Sequence, residues 1–284
     1  MADGGGQPAP RVSVITIFLN GERFIQEAID SILAQTYDDW ELLLVDDGST
    51  DASTSIALRY AEQHPGRIGY LQHPGHRNHG MSTSRNLGVK HARGEYVAFL
   101  DADDVWLPQK LERQTAILES EPAAAMVYGA TQHWHSWTGR AEDLHRDRNR
   151  RLGVPPNTLV PPPTLVRLFL GREAWTPATC GVLIRRAAID QAGGFEDRFR
   201  GMFEDQAFFY KLCLIAPVFV EAGCWDRYRQ HPDSWCEVAR KRGEYEPGYQ
   251  PNPARGTFLN WLADYLAAQK VDEPELWKLL RREL

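Results

Sequence analysis

The chain has 284 residues, 43% of them hydrophobic and 25% charged, a composition that excludes a disordered or fibrous protein and allows one large domain or two small ones. A formal net charge of −6 leaves no global basic field for nucleic acid, and the basic run from Arg146 to Arg151 is interleaved with acids in the manner of a solvated loop. Four cysteines at wide spacings, Cys180, Cys213, Cys224 and Cys236, form no CxxC pair, so neither a zinc knuckle nor a redox motif is signalled and reduced thiols in a cytoplasmic protein are expected.

Residues 1–10 are Gly- and Pro-rich, lack the pattern of a signal peptide and read as a disordered tail. Val12 to Phe18 is rich in β-branched residues and reads as a buried strand ending at Asn20-Gly21. Phe24, Ala28, Ile29, Ile32 and Leu33 then recur at helical spacing. Trp40 to Val45 is a second strand that runs into Asp46-Asp47-Gly48-Ser49-Thr50-Asp51, a strand–turn–helix junction with Gly48 for the tight turn. The helix after it carries Ile56, Leu58 and Ala61. Arg67 to Gln72 is a third strand, His73 to Gly80 a loop, and Ser82 to Ala92 a helix.

The next strand, Glu95 to Leu100, stops at three carboxylates, Asp101, Asp103 and Asp104. They read either as an exposed turn and helix cap or as the site of a hard, oxygen-loving cation such as Mg²⁺ or Mn²⁺, because close like charges stay ionised only in water or against a cation. Strands alternating with helices argue for a parallel sheet covered on both faces, and in such sheets ligands bind outside the carboxyl ends of the strands. Both acid clusters emerge there. Their pairing favours a nucleotide and its metal in one cleft over two unrelated caps.

Pro108 to Glu119 reads as a helix and Ala123 to Tyr128 as a strand, whereas 129–163 has no period and suits acceptor recognition, a lid, or a plain surface loop. His133 and His135 around Trp134, like His73, His76 and His79, read as ordinary surface residues before a metal site. A short helix at 161–171 precedes Trp175 to Arg185, which ends in a strand. Phe203 to Leu214 is a helix whose first turn carries Glu204 and Asp205, read as dipole-favoured capping or as a general base. Val218 to Ala222 and Cys224 to Arg229 are late strands, closing on His231. Beyond a polar stretch lie two short helices, 258–268 and 275–282. The stripe Trp261, Leu262, Tyr265 and Leu266 reads as packed on the main domain, with membrane-surface docking as the alternative. The expected division is a tail at 1–10, a domain at 11–240 and a helical C-terminal extension at 241–284.

Taken together, Val12-Ser-Val-Ile15 with Asn20, Ala28 to Thr36, Glu41 to Asp51, Ser84-Arg85-Asn86-Leu87-Gly88, Asp101-Ala102-Asp103, Gly193-Gly194-Phe195 and Glu204-Asp205 resemble, in order and spacing, the family 2 inverting glycosyltransferases of GT-A fold. The resemblance covers roughly residues 11 to 235. It implies an α/β architecture with a Rossmann-like, mixed but mostly parallel sheet flanked by helices. It also implies a sugar-nucleotide donor, with uridine or thymidine diphosphate the commoner case, and a divalent metal, Mn²⁺ or Mg²⁺. Carried over by position, Asp47 would accept a hydrogen bond from the base with Asp46 beside it, Ile17, Asn20 and Ala102 would line the nucleotide-sugar pocket, and Arg85 would approach the base or phosphates. Asp103 would bind the metal. Asp101 would serve the ribose, a metal-bound water or the metal, and His231 would reach the metal or diphosphate. Asp205 would be the base that deprotonates the acceptor, with Trp175, Thr179 and Glu204 on the acceptor side.

Two departures bear on this. Ile17-Phe18-Leu19-Asn20 stands where the family usually has Pro-x-Tyr-Asn, so a tyrosine stack on the base is not expected. The Gln-x-x-Arg-Trp signature of processive synthases and any bilayer-length apolar run are both missing, so single sugar addition is favoured, in the cytoplasm or peripherally at a membrane. The acceptor class stays open among glycan, lipid-linked sugar, peptide and small molecule. Alternative readings are a sugar-phosphate nucleotidyltransferase, for which Asn20 to Phe24 offers only one Gly and one Arg as a phosphate loop, and a silent nucleotide-sugar-binding module.

Overall fold

The computed structural model describes residues 9–244 and 253–284. Most of the expected N-terminal tail, and residues 245–252 of the C-terminal extension, lie outside the described residues. The first half alternates strand and helix: β1 (Val12–Phe18), α1 (Ile25–Leu33), β2 (Trp40–Asp46), α2 (Ser53–Gln63), β3 (Ile68–Gln72), α3 (Met81–His91) and β4 (Tyr96–Phe99). Every residue of β1, β2 and β4 is buried, which is why each reads as a predominantly apolar stretch without polar alternation. Alternate side chains serve opposite faces. Val12, Val14, Leu42, Leu44 and Ala98 meet α1, while Ile15, Ile17, Leu43, Val45 and Val97 face a second core.

The chain continues through β5 (Val105–Trp106), α4 (Lys110–Ser120), β6 (Met126–Tyr128), β7 (Gln132–Trp134), α5 (Ala141–Leu144), β8 (Arg148–Asn149), β9 (Thr158–Val160) and α6 (Thr164–Leu170). It ends with β10 (Val182–Arg185), α7 (Arg186–Ala192), α8 (Glu204–Ile215), β11 (Val218–Val220), β12 (Asp226–Arg229), α9 (Trp235–Lys241), α10 (Pro253–Ala268) and α11 (Pro274–Glu283). The large sheet runs β3-β2-β1-β4-β10-β6-β11-β9. β1 is parallel to both β2 and β4, and β2 to β3, whereas β10 is antiparallel to β4 and β6. The carboxyl ends of β1, β2 and β4 therefore share one edge, and the chain enters β10 there too.

A smaller sheet, β5-β12-β7-β8, stands beside that edge. Of its strands only β12 falls in a segment that read as a strand, Cys224 to Arg229; β5, β7 and β8 carried no readable period, because two or three residues are too few to show alternation. The stretch 129–163 thus contains β7, α5, β8 and β9. Val105-Trp106 pairs with β12, so the helix expected from Pro108 begins at Lys110. Val218–Val220 and Asp226–Arg229, adjacent in sequence, belong to different sheets.

The C-terminal helices pack into the second core: Phe258 and Leu262 of α10 and Leu276 and Leu280 of α11 are fully buried there. Each such side chain contributes about 1.5–3 kcal/mol through removal from water. The expected stripe of α10 is thereby buried, with only Tyr265 part-exposed. No helix among the described residues is long and apolar enough to cross a membrane.

α3 crosses β1 closely at Gly88, where an added Cβ would sit 2.5 Å from Ile15 Cγ2. Since Arg85 is one helical turn away, this contact sets the depth of a residue that matters below. Gly88→Ala is expected to overpack the interface and cost about 2 kcal/mol, read as a lower urea midpoint at unchanged slope. An unchanged midpoint would show that α3 can lift away from the sheet freely.

Candidate active site

The shared strand edge opens onto a cleft of about 700 Å³. Ile17, Asn20, Asp47, Arg85, Asp101, Ala102, Asp103, Trp175, Thr179, Glu204, Asp205 and His231 all line it. Asp46 does not. It is fully buried, and its carboxylate accepts from Gly48 N (3.1 Å), Ser49 N (2.8 Å), Tyr70 OH (3.1 Å) and the Thr54 hydroxyl. It holds the β2–α2 turn from beneath, and burial with its nearby charge lifts the Tyr70 hydroxyl to about 12.

On the nucleotide side, Gly48 is in the left-handed region (φ +91°), and a Cβ there would come within 2.9 Å of the Arg77 and Asn78 backbone. That close approach brings the 73–80 loop under Asp47, whose oxygens accept from His79 N (2.7 Å) and Gly80 N (3.0 Å). Each oxygen keeps a second lone pair. Asn20, also left-handed (φ 54°), accepts from Thr50 N at 2.7 Å. His73 is buried rather than on the surface. It stacks on His79 and lies 3.6 Å from Asp47, and burial lowers its pKa.

Beyond β4, Asp101 and Asp103 keep partly exposed side chains (28% and 32%), whereas Asp104 is 1% exposed. Arg229 of β12 ties this turn down, donating from its backbone N to Asp104 Oδ1 (2.9 Å), from Nε to Asp103 O (2.7 Å) and from Nη2 to Glu27 (2.6 Å). Asp104 therefore points inward and links two sheets instead of capping the following helix. Burial and the charges of Asp103 and Asp101 hold its carboxyl well above the usual range. His231, in the turn after β12, places Nε2 3.0 Å from Asp103 Oδ2, and its buried Nδ1 has no partner among the described residues. No three His, Cys, Asp or Glu residues among those described form a ready metal cage. Two open carboxylates and an imidazole do suit Mn²⁺ or Mg²⁺ held jointly with phosphate oxygens.

Arg85 joins this wall to the next. Only 2% exposed, it donates from Nη2 to Asp101 Oδ1 (2.8 Å) and from Nη1 to Glu204 Oε1 (3.1 Å). α8 begins after Phe203, a non-glycine residue with φ +71° whose ring stacks on Phe258 at 5.2 Å. Such strain persists where packing overrides it and concentrates at functional sites. Burial pushes Glu204 up to about 8, reinforced by Asp205 and opposed by Arg85. Asp205, whose Oδ1 accepts from Gln206 N (2.7 Å), is also raised by burial.

The far wall holds residues that no motif marked. Arg150 of the patternless segment donates from Nε to His133 Nε2 (3.0 Å) and from Nη1 to Thr176 O (3.1 Å), and its guanidinium lies 5.3 Å from the Tyr228 ring centre. His133, expected at the surface, is buried and held neutral, with a pKa lowered to about 3 by burial and by Arg150 and Arg148. Arg200 and Trp235 also line the cleft.

The Glycosyl transferase family 2 model matches residues 13–192. EpsJ of Bacillus subtilis (strain 168), an uncharacterized glycosyltransferase, is 43% identical over 261 residues, covering 88% of this chain and 70% of that one. Over other curated glycosyltransferases the chain spans only 32–46% of their length. Among solved structures, the mannosyltransferase PcManGT from Pyrobaculum calidifontis, in complex with GDP-Man and Mn²⁺, aligns with TM-score 0.61 at 20% identity, covering 98% of this chain and 70% of that one. S. aureus TarS 1-349 in complex with UDP-GlcNAc aligns with TM-score 0.60 at 20% identity, over 79% of this chain and 60% of that one. These structural likenesses establish the fold.

With its pKa raised to about 8, Glu204 binds a proton in the folded protein that the unfolded chain releases near 4.5. The folded state then holds the extra proton between those values, so this contribution to stability is full below 4.5 and is lost as pH rises through about 8. Stability from this group should fall between about pH 5 and 8 and level off above, with a slope of at most about 1.4 kcal/mol per pH unit, read as a falling melting temperature. Glu204→Gln, which keeps an acceptor for Arg85, should flatten that fall; an identical slope in the variant would assign it elsewhere.

Proposed function

The chain belongs to glycosyl transferase family 2, and on that premise we propose that it is a metal-dependent inverting glycosyltransferase that moves one sugar from a nucleoside-diphosphate sugar to an acceptor hydroxyl. The observation that carries this reading is that Asp103 with His231, and Asp205 across from them, line one cleft while Arg85 joins Asp101 to Glu204, the neighbour of Asp205. The PcManGT complex with GDP-Man and Mn²⁺ and the TarS complex with UDP-GlcNAc support donors of this class. A uridine or thymidine diphosphate sugar is the family's commoner donor.

Asp47, Asn20, Ile17 and Ala102 hold the nucleoside side of the donor, with Asp101 toward the ribose. Asp103 and His231 would hold a divalent cation, Mn²⁺ or Mg²⁺, which when bound supplies Lewis-acid stabilisation of charge on the departing diphosphate. Asp205 accepts the proton of the acceptor hydroxyl as its oxygen bonds to the anomeric carbon. The bond from that carbon to the diphosphate oxygen breaks on the opposite face, inverting the centre. Burial makes Asp205 a better base than an exposed carboxylate, and a protonated Glu204 spares it a second adjacent negative charge.

Asp205→Asn is expected to lower kcat by about 10³-fold. Nucleotide affinity, measured by calorimetry, should stay near the wild-type value. Turnover retained within tenfold would remove Asp205 from the role. Separately, UDP, dTDP and GDP should be compared in a thermal-shift series with and without Mn²⁺. The matching nucleotide at 100 times its Kd should add about 2.7 kcal/mol of stability. Asp103→Ala should abolish the Mn²⁺-dependent part of that shift, and a full Mn²⁺ effect in this variant would place the cation elsewhere.

A further inference from the structure

Of the nine tryptophans, only Trp175 and Trp235 are as much as 46% exposed, and both line the cleft. A half-exposed indole forgoes much of the burial its area offers, and such rings recur where a partner completes them. Both rings are held from behind. Trp175 packs against the His133 edge at 5.4 Å and the Arg150 guanidinium at 5.6 Å, and its backbone N donates to Arg151 O. Trp235 abuts Gly201, where an added Cβ would meet its ring at 3.3 Å. Arg150 and Cys236, the neighbours of the two indoles, line the same cleft as Asp205. The nucleotide-side residues Asn20 and Asp47 come from the β1 and β2 ends instead.

Resting on the transferase reading, the geometry points to Trp175 and Trp235 as two stacking faces of an acceptor subsite for a saccharide. A pyranose presents an apolar C–H face to an indole and a rim of hydroxyls to polar groups, and Arg150, Thr179, Gln206 and Ser234 line the same cleft. A polyprenyl chain would need a continuous apolar track, which these polar residues interrupt. A peptide binding by strand addition would need a free edge, and β12, whose Tyr228 lines the cleft, is paired on both sides.

The test offers the full chain, with Mn²⁺ and the donor that stabilises it, three acceptor probes: a panel of methyl glycosides and disaccharides, a polyprenyl phosphate in detergent, and a Ser/Thr-containing peptide. Transfer to a saccharide is expected. Trp175→Ala and Trp235→Ala should each raise the saccharide KM roughly tenfold while the donor KM holds, and Trp→Phe at either site should recover most of the loss. Saturation-transfer NMR of the saccharide with UDP present should lose its signal in both alanine variants. Transfer only to the lipid or the peptide, or an unchanged saccharide KM in both alanine variants, overturns the inference alone. Absence of any donor breakdown by the wild-type chain overturns the transferase reading, and this inference with it.

Discussion

A guanidinium sealed from water between two acidic side chains governs this structure. Arg85 is 2% exposed, and its bonds to Asp101 and Glu204 join residues 16 and 119 positions away in the chain. Removing Asp101 leaves the buried guanidinium's charge uncompensated at a cost of up to about 3–5 kcal/mol, and removing Arg85 strands both of its partners, so the three act as a unit. The unit also fixes function-bearing geometry. Asp101 belongs to the acid turn after β4 and Glu204 to the first turn of α8, so their shared partner sets the distance between the two walls of the cleft.

Everything around the unit keeps it in register. Gly88 lets α3 lie close on β1, one turn from Arg85. Phe195 packs beneath the guanidinium, its ring centre 5.5 Å away. The left-handed turn at Phe203 is held by its stack on Phe258, which draws the C-terminal helix α10 into the support of Glu204 and Asp205. Arg229 performs the corresponding task on the opposite wall, tying Asp103, Asp104 and Glu27 to the small sheet. The cleft is therefore built by two buried arginines, each serving several backbone segments at once.

The division of labour within each acid cluster follows from depth. Asp46 and Asp104 are sealed from water and hold turns, whereas Asp101 and Asp103 keep partly exposed side chains and Asp47 lines the cleft with lone pairs to offer. Glu204 and Asp205 divide in the same way. Both line the cleft; the buried member takes the proton and the arginine, and the half-buried one is left to offer its carboxylate. Adjacent carboxylates in a low-dielectric wall are driven to such asymmetry because two neighbouring charges repel strongly there.

The sequence by itself determined the parallel half of the fold and the location of both acid clusters. β1, β2 and β4 are buried on both faces, so they read as predominantly apolar runs despite Ser13, Thr16 and Glu41, and each strand end is punctuated by Asp or Gly in a pattern that local chemistry makes legible. The order of the short motifs also carried the family resemblance. Tertiary structure alone decided which acid of each pair faces the cleft, since Asp46 and Asp47 are indistinguishable as letters. It also decided that His133 is buried and neutral, and that the period-free stretch 129–163 supplies Arg150 and two strands of a second sheet. Apart from β12, the small sheet stayed hidden because its strands are two or three residues long, and the site's cross-links because their partners lie far apart in sequence, His231 being 128 positions from Asp103. Periodicity and turn chemistry report on neighbours along the chain, whereas the cleft is made by neighbours in space.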